Sequence, residues 1–174
     1  MLQNYSRYKL LQVFFDYPKK DFQIRELSRK IRLAQISIIN HLKRLVKENL
    51  VIKENKSIYP SYKANTNNEL FKLLKKQNLI LRLKESGLIE FLEERLRPNC
   101  IVLFGSASRG EDNENSDTDI FLQSKEVILD LNKFEKSLNR KINLFFEYNI
   151  NKLNKELLNN IINGEVLHGY LKVF

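Results

Sequence analysis

Only one cysteine and two histidines occur in the 174 residues. A lone cysteine, Cys100, cannot close an internal disulfide, which removes the disulfide-stapled secreted classes and points to a cytoplasmic protein. One Cys and two His also fall short of the four ligands of a structural zinc site. No apolar run nears the roughly 20 residues that a membrane helix needs, so no membrane association is expected. The opening Met1-Leu-Gln-Asn-Tyr-Ser-Arg-Tyr8 has no signal-peptide h-region. Internal repeats and low-complexity tracts are missing too, apart from a richness in Asn, Lys and Ile. A hydrophobic share of 43% excludes wholesale disorder, and the length allows one domain or two small ones.

Charge is unevenly spread. Residues 1–64 hold fourteen Lys and Arg against five acids, whereas residues 65–174 hold sixteen of each sign. The whole net charge of +9 therefore sits in the first third. That asymmetry implies two functional parts, the first of them facing a polyanion.

Apolar spacing from Tyr5 to Tyr17 (Leu10, Leu11, Phe14, Phe15) predicts a helix that Pro18 stops. Phe22 to Ile31 reads as a second helix with Ile24, Leu27 and Ile31 inward. After a turn at Arg32-Leu33-Ala34, a third runs from about Gln35 to Glu48, its inward stripe being Ile38, Leu42 and Leu45. Leu50 to Tyr59 reads as a hairpin with Asn55-Lys56-Ser57 at its tip. Two helices joined by a tight turn and followed by a hairpin resemble the winged-helix DNA-binding domains of bacterial and archaeal regulators. The segment Leu42-Lys-Arg-Leu-Val-Lys-Glu-Asn-Leu-Val51 is similar to their exit from recognition helix to wing, with Asn49 in the place of the usual Gly. The resemblance implies double-stranded DNA as partner. Gln35, Ser37 and Asn40 would face base edges, while Lys43, Arg44, Lys53 and Lys56 would meet phosphates. Ile36 and Ile39 are unusual on such a face.

Asn65-Thr-Asn-Asn68 can cap a further helix, Glu69 to about Lys84, which carries apolar residues on more than one side. Such a helix packs on both halves or forms the seam of a homodimer. Ser86-Gly87 breaks it, Leu88 to Leu96 resumes, and Pro98 ends the segment.

The chemistry concentrates in Ile101-Val-Leu-Phe-Gly-Ser-Ala-Ser-Arg-Gly-Glu-Asp-Asn-Glu-Asn-Ser-Asp-Thr-Asp-Ile-Phe-Leu122. Two short apolar runs read as buried strands with a polar loop between them. On a strand, side chains at i and i+2 share a face, which sets Asp117 beside Asp119. Adjacent carboxylates repel unless a cation separates them, and oxygen-only ligands suit Mg2+ or Mn2+. Gly105 and Gly110 bracket a loop whose N–H groups can approach a phosphate, with Ser106 and Arg109 as further donors.

Gly105-Ser106, ten residues, then Asp117-Thr118-Asp119 resembles the signature of the polymerase-β-like nucleotidyltransferase superfamily. The longer string Leu103 to Gly110 with Ser116-Asp117-Thr118-Asp119 is similar to its minimal prokaryotic branch. The likeness spans roughly residues 98–170. It implies nucleoside triphosphate binding, ATP being expected, through Gly105, Ser106, Arg109, Gly110 and Ser116. Asp117 and Asp119 would then be catalytic residues and metal ligands. It also implies a third acid on a later strand after an Arg-Lys doublet; here Arg140-Lys141-Ile142-Asn143-Leu144 occupies that place, so the acid's position is Asn143. An amide offers one carbonyl oxygen but neither charge nor a base. Glu147, on the same strand face, lies about 13 Å further along.

Beyond the motif, a helix is predicted over Asp130–Leu138, a strand over Ile142–Phe146, a helix over Asn151–Asn163 and a closing strand over Val166–Val173 that includes a structural His168. The expected class is α+β. A winged helix-turn-helix occupies 1–64, a helical connector 65–97, and a nucleotidyltransferase-like α/β domain with a short mixed sheet 98–174. Three functions stay open: a DNA-binding regulator that binds nucleotide, an active nucleotidyltransferase of toxin–antitoxin type acting on a protein or other acceptor, and a degenerate dimerisation module.

Overall fold

The computed structural model describes residues 5–55 and 58–172. They fall into two compact units, Met1–Lys75 and Lys76–Phe174. The division lies inside one helix, leaving 65–75 with the first unit and 76–97 with the second. Among the described residues no helix is long and apolar enough to cross a membrane.

In the first unit, helix α1 (Ser6–Asp16) buries Leu10, Leu11, Val13, Phe14 and Phe15. Strand β1 (Phe22–Gln23), α2 (Ile24–Ile31) and α3 (Gln35–Lys47) follow. The i, i+4, i+7 stripe of α3 is realised: Ile38, Leu42 and Leu45 are the residues it buries. Arg32 turns the chain between α2 and α3 with φ 56°, and Ser28 ties the corner by donating its hydroxyl to the Leu33 carbonyl at 2.5 Å. Asn49 closes α3 with φ 58°; a short polar side chain tolerates that left-handed conformation. The Asn65 amide donates to both the carbonyl and the Oδ1 of Asn49, at 2.9 and 3.0 Å.

Strands β2 (Val51–Glu54) and β3 (Ser61–Ala64) pair antiparallel, and β1 adds to the other side of β3. Two expectations are corrected here. Phe22 and Gln23 do not begin a helix; they pair with Tyr62 and Ser61, because the Phe22 ring is taken into the core, 5.6 Å from Phe14. The return strand of the hairpin is Ser61–Ala64 rather than the stretch ending at Tyr59. Pro60 has no N–H for the ladder, and Ile58 stands 94% exposed before it. Tyr62 and Ala64 supply the inward period of two instead.

Helix α4 (Glu69–Glu85) starts where predicted, with Asn68 Oδ1 accepting the Phe71 N–H at 2.9 Å. Phe71 is buried in the first unit's core, and Leu79 and Leu83 in a core of the second. Gly87, at φ 75°, separates α4 from α5 (Leu88–Leu96).

The second unit is a four-stranded sheet with helices on both faces. Its strands are β4 (Cys100–Phe104), β5 (Thr118–Leu122), β6 (Ile142–Phe146) and β7 (Glu165–Gly169), in the order β6-β5-β4-β7. Only β5 and β6 run parallel. A short turn α6 (Gly105–Ser108) follows β4, and α7 (Asn132–Leu138) and α8 (Lys155–Ile162) complete the unit. The strands alternate as a sheet buried on both sides must. Ile101, Leu103, Ile120 and Leu122 face α4, α5 and α7. Cys100, Val102, Phe104 and Phe121 face α8. The expected helix over 151–163 is split into a 3-10 turn at Ile150–Lys152 and α8, because Asn154 caps α8 by accepting the Leu157 N–H at 2.7 Å. The closing strand is β7; Val173, within the predicted span, lies outside the described residues.

Leu42 is fully buried and Ile36, on the same helix, is 74% exposed. Leu42→Ala should lower the unfolding free energy by about 2–5 kcal/mol, and Ile36→Ala by no more than about 0.5 kcal/mol. Urea midpoints of the two variants check the assignment of the α3 faces.

Candidate functional site

Strand β4 delivers the chain to Gly105, which turns with φ 74°, a conformation glycine adopts without a Cβ penalty. Space demands glycine as well. Phe104 is paired with Asp119 across the sheet, and a Cβ on Gly105 would stand 2.8 Å from Asp119 Oδ2. Asp117 immediately precedes β5 and Asp119 is its second residue. Their i, i+2 spacing brings both carboxylates to one side. The parallel register of β5 and β6 then sets Asn143 directly opposite Asp119. Its amide nitrogen donates to Asp117 Oδ2 at 3.1 Å and to Asp119 Oδ1 at 3.1 Å. The NH2 rather than the carbonyl must face this pair, since a carbonyl oxygen would add a third negative end to two carboxylates. Asn143 thus serves as an uncharged clamp at the position where the resemblance led one to expect an acid.

The glycine-rich loop is more self-contained than its sequence implied. The N–H groups of Arg109 and Glu111 donate to the Ser106 carbonyl, at 3.2 and 3.0 Å, and that of Gly110 to the Ala107 carbonyl at 3.2 Å. Those three donors are already committed. Gly110 takes φ 69°. The Arg109 guanidinium pairs with Glu111 at 2.9 Å, with both side chains well exposed; a surface pair of that kind is weak and exchanges readily. Ser116 Oγ accepts the Asn113 N–H at 3.0 Å, closing the loop just before Asp117. An open hollow of about 440 Å³ adjoins Asp117 and is lined also by Ser116, Lys136, Arg140 and Lys141. Gly105, Ser106, Arg109 and Gly110 are not part of its wall.

Supporting groups that sequence reasoning passed over hold this geometry. Arg140 forms an ion pair with Asp112, and both side chains are nearly inaccessible. The pair staples the loop to the strand that carries Asn143. Breaking such a buried pair from one side leaves an uncompensated charge, at a cost of about 3–5 kcal/mol. The Arg-Lys doublet before β6 was its one visible signal, and nothing local marked Asp112 as the partner. Glu135 on α7 accepts the Ile142 N–H at 3.0 Å and the Lys141 ammonium at 2.9 Å. The Ile142 N–H, then the Lys141 bond, hold its carboxyl below the ordinary value. Arg82 of α4 donates to the Leu138 carbonyl at 2.8 Å and anchors the other end of α7.

Glu147 is turned away: its Oε1 accepts the Asn149 N–H at 2.9 Å, closing the chain after β6. Cys100 is a buried thiol whose pKa burial pushes up to about 11, so it stays protonated and unreactive. His168 Nδ1 lies 3.3 Å from Glu93. Among the described residues no three His, Cys, Asp or Glu side chains cluster as metal ligands. A cation at this point would take its donors from Asp117 and Asp119, and Asn143 would have to rotate to offer its carbonyl as a third oxygen. Mg2+ is commonly held by one or two carboxylates together with substrate phosphates, and the pair fits that mode.

In the first unit, Gln35, Asn40, Lys43, Arg44 and Lys53 are exposed and Ser37 is half-buried. Lys56 lies outside the described residues. Ile39 lines a hollow of about 260 Å³ with Gln23, Arg25, Gln35, Tyr59 and Pro60. Its apolar side chain therefore has a wall to lie against, whereas Ile36 does not line it.

The lowered pKa of Glu135 has a defined sign. A carboxyl held below its unfolded value stabilises fully at neutral pH, and that contribution is lost as pH falls through the folded pKa. Between pH 7 and pH 3 the parent should lose more stability than Glu135→Gln, measured as the change in urea midpoint. Equal losses would show that Glu135 does not secure the start of β6.

Among curated proteins no sequence matches this chain. Residues 86–170 match the family described as Polymerase beta, Nucleotidyltransferase. That span begins ahead of the roughly 98 at which the motif likeness started, and takes in α5, all four strands, the glycine turn, both aspartates and Asn143. The second unit therefore carries a nucleotidyltransferase-fold domain.

Proposed function

We propose that the protein is a DNA-binding regulator whose nucleotidyltransferase-fold domain binds a nucleoside triphosphate, ATP being expected, together with Mg2+ (or Mn2+). The observation that carries the nucleotide part is the Asn143 amide bonded to both Asp117 and Asp119. Two carboxylates converging on one point suit a cation that arrives with phosphate oxygens. Such a cation neutralises the charge of the phosphates and draws them to the aspartates. On the protein side, Ser106 and Arg109 are the donors nearest the glycine turn, and Lys136, Arg140 and Lys141 line the hollow beside Asp117. The missing function is that of a base. A neutral amide cannot accept a proton from an attacking hydroxyl, so binding without efficient transfer is the preferred outcome.

The DNA part rests on the nine excess positive charges of residues 1–64 and on the exposed row Gln35, Asn40, Lys43 along α3. Three helices, with a short strand after the first and a hairpin after the third that pairs with it, are consistent with a winged helix. The intact aspartate pair and the match of residues 86–170 favour a second reading, transfer of a nucleotidyl group to a protein or other acceptor.

Two experiments test these readings. Asn143→Asp places a third carboxylate beside the pair and removes the donor that offsets their repulsion. Its melting temperature should fall without metal and recover with Mg2+ or Mn2+ and ATP through binding linkage. Pyrophosphate release is expected to be weak in the parent and to rise in the variant, a positioned base being worth roughly 10²–10⁴-fold. Release by the parent that is lost in Asp119→Asn would install the transferase reading in place of the binding one. For DNA, duplex affinity should fall steeply with salt. Replacing Lys43 and Lys53 by Ala should weaken binding to all sequences and flatten that salt dependence, whereas Asn40→Ala should erode discrimination between sequences. Duplex affinity indifferent to salt would sink the assignment.

A further inference from the structure

The aspartates occupy one end of the second unit's sheet, where β4 ends and β5 and β6 begin. The opposite end has a different chemistry. There Asn99 precedes β4, Gln123 follows β5, Tyr148 lies beyond β6 and Tyr170 follows β7. The rim is fastened by main-chain and amide bonds. The Asn99 N–H donates to the Gln123 carbonyl at 3.1 Å, and the Tyr170 N–H to the Asn99 carbonyl at 3.4 Å. Gln123, itself buried, donates its amide to the Tyr148 carbonyl at 3.3 Å. Two hollows open on this rim, of about 510 and 280 Å³. They share Asn99, Gln123 and Tyr148, so they lie side by side along this rim.

Charge and aromaticity coincide along it. Lys172 lines the larger hollow, and Arg95, Arg97 and Lys125 line the smaller. Neither wall contains an acid, although residues 65–174 as a whole carry equal numbers of each sign. Among the described residues none of these four cations is paired with a carboxylate, in contrast to Arg109 and Arg140 at the other end. Tyr148 and Tyr170 are 64% and 73% exposed, and among the described residues neither ring has an aromatic neighbour. The side-chain amides of Asn99 and Asn151 likewise make no hydrogen bond among the described residues. Unpaired cations, bare rings and free amides answer the three parts of a nucleotide strand: phosphates, base faces and base edges.

We propose that this groove is a binding site for single-stranded nucleic acid, separate from the aspartate pair and from the basic first unit. A duplex keeps its base faces stacked internally and offers nothing to the two tyrosines, so the chemistry selects an unpaired strand. Three residues of β5, Ile120 to Leu122, lie between Asp119 and Gln123, a distance of about 13 Å along the chain. Occupation of the groove therefore does not obstruct the aspartates.

The test uses the full chain and fluorescence anisotropy with a labelled oligonucleotide of about 12 residues, within the site sizes known for stacking grooves. RNA and DNA forms of one sequence are run in parallel. Tyr148→Leu/Tyr170→Leu should weaken single-strand binding about tenfold or more, while duplex DNA affinity stays at the parent's value. Tyr148→Phe/Tyr170→Phe keeps the rings and should bind like the parent. Arg95→Gln/Lys125→Gln should flatten the dependence of single-strand affinity on salt. A stronger effect on the RNA arm would assign the groove to RNA, through its 2′-hydroxyls, and equal effects to either sugar. Single-strand binding unchanged in the Leu variant would overturn the proposal by assigning that binding to the first unit. So would equal loss in the Leu and Phe variants, which would show that stacking plays no part.

Discussion

Mutual repulsion of two carboxylates is the constraint around which the second unit is arranged. Asp117 and Asp119 converge on a single nitrogen 3.1 Å from each, and like charges turned to one point repel unless something positive lies between them. Here the positive end is the NH2 of Asn143. Everything nearby serves that juxtaposition. Glycine at 105 leaves room for the Asp119 carboxylate, and the parallel pairing of β5 with β6 brings Asn143 into register. The Asp112–Arg140 pair fixes the loop to the same strand. Glu135 secures the first peptide of β6 from α7. Glu135 and the Asp112–Arg140 pair act at the start of the strand that carries Asn143, and Gly105 acts on the Asp119 side.

One sheet thus separates two chemistries by strand length alone. The end with the aspartates presents negative charge, a polar amide and a tight turn. The far end presents unpaired cations, two bare tyrosine rings and free amides. Composition conceals this, since the charges cancel over residues 65–174. In the first unit the excess is not cancelled, and long-range attraction to a polyanion follows from the count itself.

Local patterns carried much of this protein unaided. The α3 stripe, the Asn68 cap, the left-handed Asn49 and the apolar strands β4 and β5 each depend on residues within about one or two turns of one another. A period of 3.6 or 2, or a capping side chain, is a local property and survives translation from sequence to structure. The Gly105-Ser106 to Asp117-Thr118-Asp119 spacing belongs with them, because it spans one strand–loop–strand unit, and it led to the fold family that residues 86–170 match.

Pairings distant in the chain were decided only by tertiary structure. Phe22 has a helical neighbourhood, but the pull of Phe14 and the open edge of β3 made it a strand. The hairpin's return moved past Pro60 because ladder bonds need an N–H, and only assembly of the sheet shows which residues supply it. The loop amides assigned to phosphate closed upon Ser106 and Ala107, a choice of hydrogen-bond partner that spacing does not specify. Asp112 found Arg140 across 28 positions of chain. Asn143 was legible as a missing acid, and its role as a donor to both carboxylates emerged only from the β5–β6 register. The tyrosine and cation groove draws on residues from 95 to 172, and no window along the chain contains it. Side chains far apart in sequence become a site only when strands align their ends, and alignment is a property of the folded sheet.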